Sequence, residues 1–424
     1  MVRFRAAGVE VASRDRRTIF ARRARPGRTE RPPEAMRPRI PQLDGLRGLA
    51  ILAVLAWHLV AAPLGTRAGP LALAWAGVDL FFVLSGYLIA DILLKARPAA
   101  NYFRVFYLRR ACRLLPLYAL TLIAFAAARA GLADRPSLAP LFEPGEPPLW
   151  TYAAFVQNLG MAAHATFGPG WLAVTWSLAV EVQFYLLLPL LVRYARPSTL
   201  PAVAVASLVA GPLVRALLPP VAGYVSLVSR ADSFFAGVLV AYALWEPACA
   251  ALAQAARPLA KLGFVAFAAG VGVMAVRPEA FGAVKPWYGT FTHTWLALTF
   301  ALLLFVTLTD DRSRVTRVLS LWPLRRLGAI SYGVYLTHQP IHRLTFGLLT
   351  DAAPQLDTAG GVGLTLLTLG LTVGVSASLA ATVERGFIAL GRRARYTDRT
   401  SVPLTDTPPP RRPAPVAPAE VTTR

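Results

Sequence analysis

A histidine and an arginine share one otherwise apolar stretch near the start of the chain, and both can take part in chemistry. The stretch covers residues 43–60, with Arg47 near its beginning and His58 near its end. On a helix this spacing places both side chains on one face, roughly 16 Å apart along the axis. An imidazole accepts protons near neutral pH, and a guanidinium binds anions. Because both groups are costly in lipid, we expect them to face the interior of a helix bundle.

Two carboxylates also lie inside apolar stretches. Asp79 shares its stretch with Ser85, and Glu181 lies near the middle of another. A carboxylate beside an imidazole can fix its tautomer and raise its basicity, so His58 and Asp79 at similar depth could form a general base. Asp79 could equally pair with an arginine or cap a broken helix. Glu181 could accept a proton, pair with an arginine or hydrogen-bond a substrate hydroxyl, since a carboxylate within a membrane span indicates a functional site.

A later apolar stretch combines tyrosines with a second histidine. Tyr332, Tyr335 and His338 follow one another at three-residue spacing. Pro340 comes just after them and is expected to kink the helix. His338 is either a site residue or part of the scaffold, and the sequence leaves both open. Together with Ser85, we take Tyr335 and His338 as candidates for substrate binding. The remaining histidines are expected in loops or at the membrane interface: His164, His293 and His342.

Four arginines crowd into ten residues between the second and third apolar stretches, and they admit two interpretations. The first is a topology signal whose side chains contact lipid headgroups. The second is a cytosolic phosphate site, because the planar guanidinium fork matches phosphate oxygens. Two of the four, Arg109 and Arg113, share a helical face at four-residue spacing. The cluster consists of Arg104, Arg109, Arg110 and Arg113.

The composition is that of a polytopic α-helical membrane protein. The chain has 424 residues, of which 55% are hydrophobic and only 16% charged, and its mean hydropathy is +0.50. Several apolar runs reach the ~20 residues that a spanning helix needs, without the strict alternation of a membrane β-barrel. We therefore predict an all-α membrane protein with about ten transmembrane helices. The predicted spans are 43–63, 71–94, 114–134, 171–192, 199–218, 226–245, 258–276, 291–309, 326–346 and 361–383.

The formal charge of +22 follows the pattern of membrane topology. Arginines concentrate in the N-terminal tail, in alternate loops and after the last apolar run, as cytoplasmic segments require. We therefore predict cytoplasmic termini, a multi-pass protein in contact with the lipid of the inner (plasma) membrane, and no nucleic-acid binding. Residues 1–40 are predicted to be a disordered basic tail, 41–390 the membrane domain, and 391–424 a disordered Pro- and Arg-rich tail.

Other kinds of site are not indicated. Cys112 and Cys249 form no metal or disulfide pattern, and the nucleophile motif GxSxG does not occur. Two classes of function remain open from these residues alone. One is an enzyme that uses a buried histidine as a general base, and the other is a transporter of a glycan or glycolipid with a buried proton relay.

Five segments, in this order along the chain, resemble the acyltransferase 3 family of integral-membrane acyltransferases. Together they cover about residues 40–390. The resemblance implies transfer of an acyl group, commonly acetyl, from acyl-CoA to a hydroxyl of a carbohydrate or a secondary metabolite. The segments are LDGLRGLAILAVLAWH, GVDLFFVLSGYLI, FYLRRACRLLPLY, TWSLAVEVQFYLLLP and ISYGVYLTHQPI.

The resemblance also implies a role for each candidate residue. His58 would be the catalytic base, with Arg47 as its motif partner, and Asp79 and Glu181 would line the site. Arg47 and the arginine cluster would bind the phosphates of the acyl-CoA. The acyl-CoA (acetyl-CoA) would be a co-substrate, so that no permanently bound cofactor and no metal are expected.

Overall fold

The structure is a computed structural model. In the residues that it describes, the regular secondary structure is helical, with no β-strand. The described residues are 40–143, 147–277 and 289–397. Ten helices of fifteen or more residues occur in these ranges, and we label them in chain order. They are α1 (Pro41–Leu55), α2 (Gly77–Ala96), α3 (Tyr102–Leu132), α4 (Trp176–Tyr194), α5 (Thr199–Leu217), α6 (Leu227–Trp245), α7 (Arg257–Val276), α8 (Thr292–Thr309), α9 (Ser331–Thr350) and α10 (Ala359–Leu379).

Each predicted span overlaps one of these helices, which confirms the all-α membrane fold. Eight helical runs in the described ranges are long and apolar enough to cross a membrane. One of them, Pro41–Ala96, has 56 residues and contains both α1 and α2. Helix α9 is not among the eight, because its two histidines, its arginine and its proline lower its hydropathy. The membrane side on which each terminus lies stays a prediction.

The connection between α1 and α2 sets the position of His58. Helix α1 passes into a π-helical turn, Ala56–Ala61, which includes this histidine. Such turns are rare and are frequent at functional sites. Gly65 and Gly69 then adopt φ angles of 55° and 53°, in the left-handed region that glycine enters without a Cβ penalty. The chain turns there, and Gly77 at the start of α2 lies against the second half of α1.

Helix α2 is the central helix of the bundle. It packs against α1, α4, α6 and α8, and most of its residues are buried. It lies close to α6 at Gly86, where an added Cβ would overlap the backbone carbonyl of Phe234. Small residues allow membrane helices to pack backbone against backbone in this way. The contact fixes Asp79 and Ser85, both on α2, relative to the side chains of α6.

The last membrane helix is followed by further ordered structure. Helix α10 continues through a π-helical turn, Ala380–Glu384, into a short helix, Arg385–Arg393. The segment Ala394–Thr397, which we call the C-terminal segment, then lies along the start of α3. There Asn101 Nδ2 donates to a carbonyl of this segment (2.8 Å), and Asn101 Oδ1 accepts from a backbone amide of it (3.1 Å).

Most residues of the two predicted tails lie outside the residues that the structure describes. Residues 1–39 of the predicted N-terminal tail and residues 398–424 of the predicted C-terminal tail are not among the described residues. The C-terminal tail is predicted to begin at residue 391, and the described chain is helical to Arg393 and hydrogen-bonded to Asn101 as far as Thr397. Hydropathy did not reveal this, since polar residues at the end of a membrane domain can still be held by hydrogen bonds.

Candidate active site

Five helices surround a cavity inside the bundle: α1, α2, α3, α4 and α9. The empty space within it is about 790 Å³, a volume that includes space open to solvent. Its apolar wall comes mainly from α2. The polar side chains on the wall are Arg47, Ser85, Arg110, Arg113, Ser177, Glu181, Tyr185, Ser331, Tyr332 and Tyr335.

Three side chains of α4 give the cavity its direction. Ser177, Glu181 and Tyr185 follow one another at four-residue spacing, so they lie on one face of the helix over about 12 Å. The guanidinium carbon of Arg110 lies 5.9 Å from the ring centre of Tyr185, whereas the hydroxyl of Tyr335 is 2.6 Å from that of Ser177. The cavity therefore runs from an arginine end, past Glu181, to a tyrosine end.

The arginine end carries an excess of positive charge. Arg47, Arg110 and Arg113 line it, and Arg47 lies 3.3 Å from Asp44, which is part of α1. Within the described ranges, neither Arg110 nor Arg113 forms an ion pair with a carboxylate. Three guanidinium groups and a single wall carboxylate, Glu181, make this end suited to an anion.

Hydroxyl groups hold the carboxylate of Glu181. Ser85 of α2 and Tyr185 of α4 both donate hydrogen bonds to its Oε1. Donors of this kind satisfy a buried carboxylate and set its orientation. The sequence predicted Glu181 and Ser85 as site residues but missed Tyr185. The signal that could have found it is the four-residue spacing, which puts Tyr185 on the same helical face as Glu181.

Two tyrosines of α9 hydrogen-bond to neighbouring segments along the cavity. The hydroxyl of Tyr335 donates to the carbonyl of Val174 (2.9 Å) and contacts Ser177. The hydroxyl of Tyr332 donates to the carbonyl of Leu114 in α3 (2.9 Å). Both tyrosines line the cavity. The predicted contact of Tyr335 with a substrate stays a prediction.

The two candidate histidines lie together just beyond the tyrosine end. His338 is one helical turn after Tyr335, and its Nδ1 is 2.8 Å from the Tyr335 carbonyl oxygen. Its Nε2 is 3.2 Å from Nδ1 of His58. His338 is buried and His58 is half-buried. Neither ring is part of the cavity wall, so the pair adjoins the cavity through Tyr335.

Asp79 is not a partner of His58. Its Oδ1 accepts hydrogen bonds from Arg230 (2.6 Å) and Ser233 (3.2 Å) of α6 and lies 3.4 Å from Nδ1 of His293. All four of these side chains are buried. The predicted pair of His58 and Asp79 is therefore wrong, and the alternative, that Asp79 pairs with an arginine, is confirmed. His293 does not lie in a loop, one of the two expectations, because it is buried near the start of α8.

A second buried ion pair extends this network. Arg215 of α5 donates to Asp232 of α6 at 2.8 Å, and the hydroxyl of Thr294 in α8 donates to the same carboxylate at 2.6 Å. With the pair of Asp79 and Arg230, these contacts join α2, α5, α6 and α8. Charges inside a membrane bundle are costly unless they are paired, so we interpret both pairs as structural.

The four clustered arginines of α3 do not share one environment. Arg110 and Arg113 line the cavity. Arg109 instead donates from Nε to a carbonyl of the C-terminal segment (3.0 Å), and its guanidinium lies over the ring of Tyr396. Arg104 is exposed. Because successive helical residues are rotated by about 100°, clustered arginines do not all face one ligand, and two of the four line the candidate phosphate site.

Comparisons with known proteins bear on the family. A family model described as an acyltransferase domain matches residues 40–381. The peptidoglycan O-acetyltransferase OatA of Listeria monocytogenes is 28% identical over 353 residues, which make up 75% of this chain and 51% of that protein. The O-acetyltransferase OatA of Staphylococcus aureus strain NCTC 8325 is 27% identical over 328 residues, 71% of this chain and 50% of that protein.

The match covers the whole of the helical bundle described above. It includes α1 to α10 and every residue that lines the cavity. The chain spans about half the length of the curated relatives it matches, and no solved structure matches it. The family that the five sequence segments indicated is confirmed: the chain belongs to the acyltransferase 3 family of integral-membrane acyltransferases.

Proposed function

We propose that this protein transfers an acetyl group from acetyl-CoA to a hydroxyl group of a glycan at the inner (plasma) membrane. The observation that carries the proposal is the cavity, which joins three guanidinium groups at one end to a tyrosine and an adjoining histidine pair at the other. Acyl-CoA has the matching polarity, since its phosphates and its thioester lie at opposite ends of an extended molecule.

The arginine end would bind the phosphates. Guanidinium forks bind phosphate oxygens through charge-assisted hydrogen bonds, which are about twice as strong as neutral ones. Arg47, Arg110 and Arg113 are the side chains placed for this. The acyl arm would then extend along the face of α4 that lines the cavity, past Glu181, towards Tyr335. With the phosphates at the arginine end, the acyl-CoA would enter the cavity from the predicted cytosolic side.

The histidine pair would supply the base. In this proposal His58 takes the proton of the acceptor hydroxyl as that oxygen attacks the thioester carbon, and returns it to the departing thiolate. Glu181, held by two hydroxyl groups, would orient the acceptor by accepting a hydrogen bond from it. Asp79 has no proton to transfer in this scheme, because its carboxylate is bound to Arg230.

A glycan acceptor is supported by the relatives alone. One of them is named a peptidoglycan O-acetyltransferase and another an O-acetyltransferase. The chemistry carried over to this chain is therefore a sugar hydroxyl as acceptor and acetyl as the transferred group. A hydroxyl of a secondary metabolite would use the same base and the same donor site.

The proposal is tested with purified protein reconstituted in lipid vesicles, radiolabelled acetyl-CoA and soluble muropeptides. We expect free CoA and labelled muropeptide to form in equal amounts. A transporter with a proton relay would instead move an intact glycan into vesicles without consuming thioester. Glycan uptake with no CoA release would therefore contradict the proposal, and CoA release with label on a different hydroxyl compound would change only the acceptor.

Replacing both Arg110 and Arg113 with glutamine is expected to raise the KM for acetyl-CoA at least tenfold. The reason is the loss of two charge-assisted hydrogen bonds to phosphate, each worth about 1.5–3 kcal/mol. The kcat should change less, because these side chains lie at the end of the cavity away from the histidines. Initial rates over a range of acetyl-CoA concentrations measure both constants.

Arg109→Gln is the matched control for this prediction. Arg109 lies on the same helix but binds the C-terminal segment rather than the cavity. We expect its KM for acetyl-CoA to stay near that of the wild type. If the control and the double variant raise KM equally, the arginines act through the fold or the lipid surface, and the phosphate site is wrongly placed.

A further inference from the structure

The surroundings of His338 determine which of its nitrogens carries a hydrogen. Its Nδ1 is 3.1 Å from the carbonyl oxygen of Val334 and 2.8 Å from that of Tyr335. Both neighbours are acceptors, so Nδ1 must be the donor. In the neutral imidazole the other nitrogen, Nε2, then keeps its lone pair and acts as an acceptor.

The same reasoning determines the tautomer of His58. Its Nδ1 is 3.0 Å from the carbonyl oxygen of Val54 and 3.2 Å from Nε2 of His338. Because both neighbours are acceptors, Nδ1 of His58 carries the hydrogen and its lone pair lies on Nε2. A chain of donors therefore runs from His58 through His338 to the carbonyl of Tyr335.

The pair contains no carboxylate. Within the described ranges, Asp79 is bound to Arg230, and Glu181 is bound to two hydroxyl groups. When Nε2 of His58 accepts a proton, the positive charge that forms therefore faces the lone pair of a neutral imidazole. His338 occupies the place that an orienting group takes beside a catalytic histidine.

From this geometry we infer that His338 is a positioning residue for His58. It holds the ring of His58 in the tautomer whose Nε2 is basic, and it shares the Nδ1 proton while His58 is protonated. The inference rests on the proposed function, in which His58 is the general base. It gives His338 a role other than the substrate contact that the sequence predicts.

The reaction balances with His338 unchanged at the end. The proton of the acceptor hydroxyl moves to Nε2 of His58, the oxygen bonds to the thioester carbon, and the C–S bond breaks. The thiolate then takes that proton from Nε2. The hydrogen between the two imidazoles shifts towards His338 as the charge forms and returns when His58 is neutral again.

Replacing His338 with glutamine or with asparagine distinguishes its role in positioning His58 from its role in helix packing. A glutamine oxygen at position 338 reaches the place of the imidazole Nε2 and can accept from His58, whereas asparagine reaches only the place of Nδ1. With acetyl-CoA and soluble muropeptides, we expect kcat to fall by less than about tenfold for His338→Gln and by about 10²-fold for His338→Asn. The KM for acetyl-CoA should be unchanged in both, since neither touches the arginine end.

His342→Asn is the matched control. His342 is buried one turn further along α9 and not in a loop, and its ring centre lies 5.3 Å from that of Phe346. Its variant should keep a kcat within about twofold of the wild type. Equal losses in His342→Asn and His338→Asn, or equal activity of the two variants at position 338, would overturn the inference.

A His58→Ala background separates this inference from the proposed function. Measured on the residual rate that His58→Ala keeps, adding His338→Asn should cause no further loss, because the group that it positions is already absent. A wild-type rate for His58→Ala would overturn the proposed function itself. A wild-type kcat for His338→Asn beside an inactive His58→Ala would overturn the positioning role alone. If the asparagine variant does not fold, His338→Leu takes its place in each comparison.

Discussion

Replacing His58 with alanine is expected to lower kcat for acetyl transfer by about 10²–10⁴-fold, the contribution of a positioned general base. The KM for acetyl-CoA should change little, because the phosphates would be bound by arginines at the opposite end of the cavity. The residual rate would come from binding the donor and the acceptor in the same site. Label transfer from acetyl-CoA to muropeptides, followed over a range of donor concentrations, measures both constants.

His164→Ala is the matched control for this experiment. His164 is exposed, at the end of the short helix Gln157–Ala163, and lies away from the cavity wall. Its rate should equal that of the wild type. If His58→Ala elutes as a folded protein and transfers acetyl as fast as this control, the imidazole is not the base, and the assigned chemistry has to be abandoned.

The second prediction with a large expected effect concerns the stability of the fold. Asp79→Leu is expected to lower the free energy of unfolding by about 3–5 kcal/mol, because it leaves the buried guanidinium of Arg230 without its carboxylate. Thermal unfolding in detergent and the yield of monodisperse protein measure this loss. An Asp79 that serves the active site, which the family resemblance implies that it lines, would instead give a variant with wild-type stability and a low kcat.

A double substitution distinguishes the ion pair from its neighbours. Asp79→Leu combined with Arg230→Met replaces both charges with apolar side chains, a change that is often neutral or stabilising in a buried site. The double variant should therefore recover most of the stability that either single variant loses. If it unfolds as readily as Asp79→Leu alone, other contacts of the carboxylate, with Ser233 and His293, contribute the stability instead.

The sequence alone determined the class of fold and many of the residues that line the cavity. Spanning helices are predictable because hydropathy is a property of contiguous residues, and all ten predicted spans correspond to helices. Polar groups inside apolar helices are recognisable for the same reason. Arg47, Ser85, Glu181 and Tyr335 were predicted in this way, and all four line the cavity.

Only the tertiary structure decided which polar groups are partners. Asp79 lies 21 positions after His58, yet its partner, Arg230, is 151 positions further along the chain, and the partner of His58 is 280 positions away. The same holds for the arginine cluster, where helix rotation sends Arg109 to the C-terminal segment. Pairing inside a bundle depends on the rotation and close packing of helices that are distant in sequence. Hydropathy and spacing describe one helix at a time, so they reveal that a charge must be paired without revealing its partner.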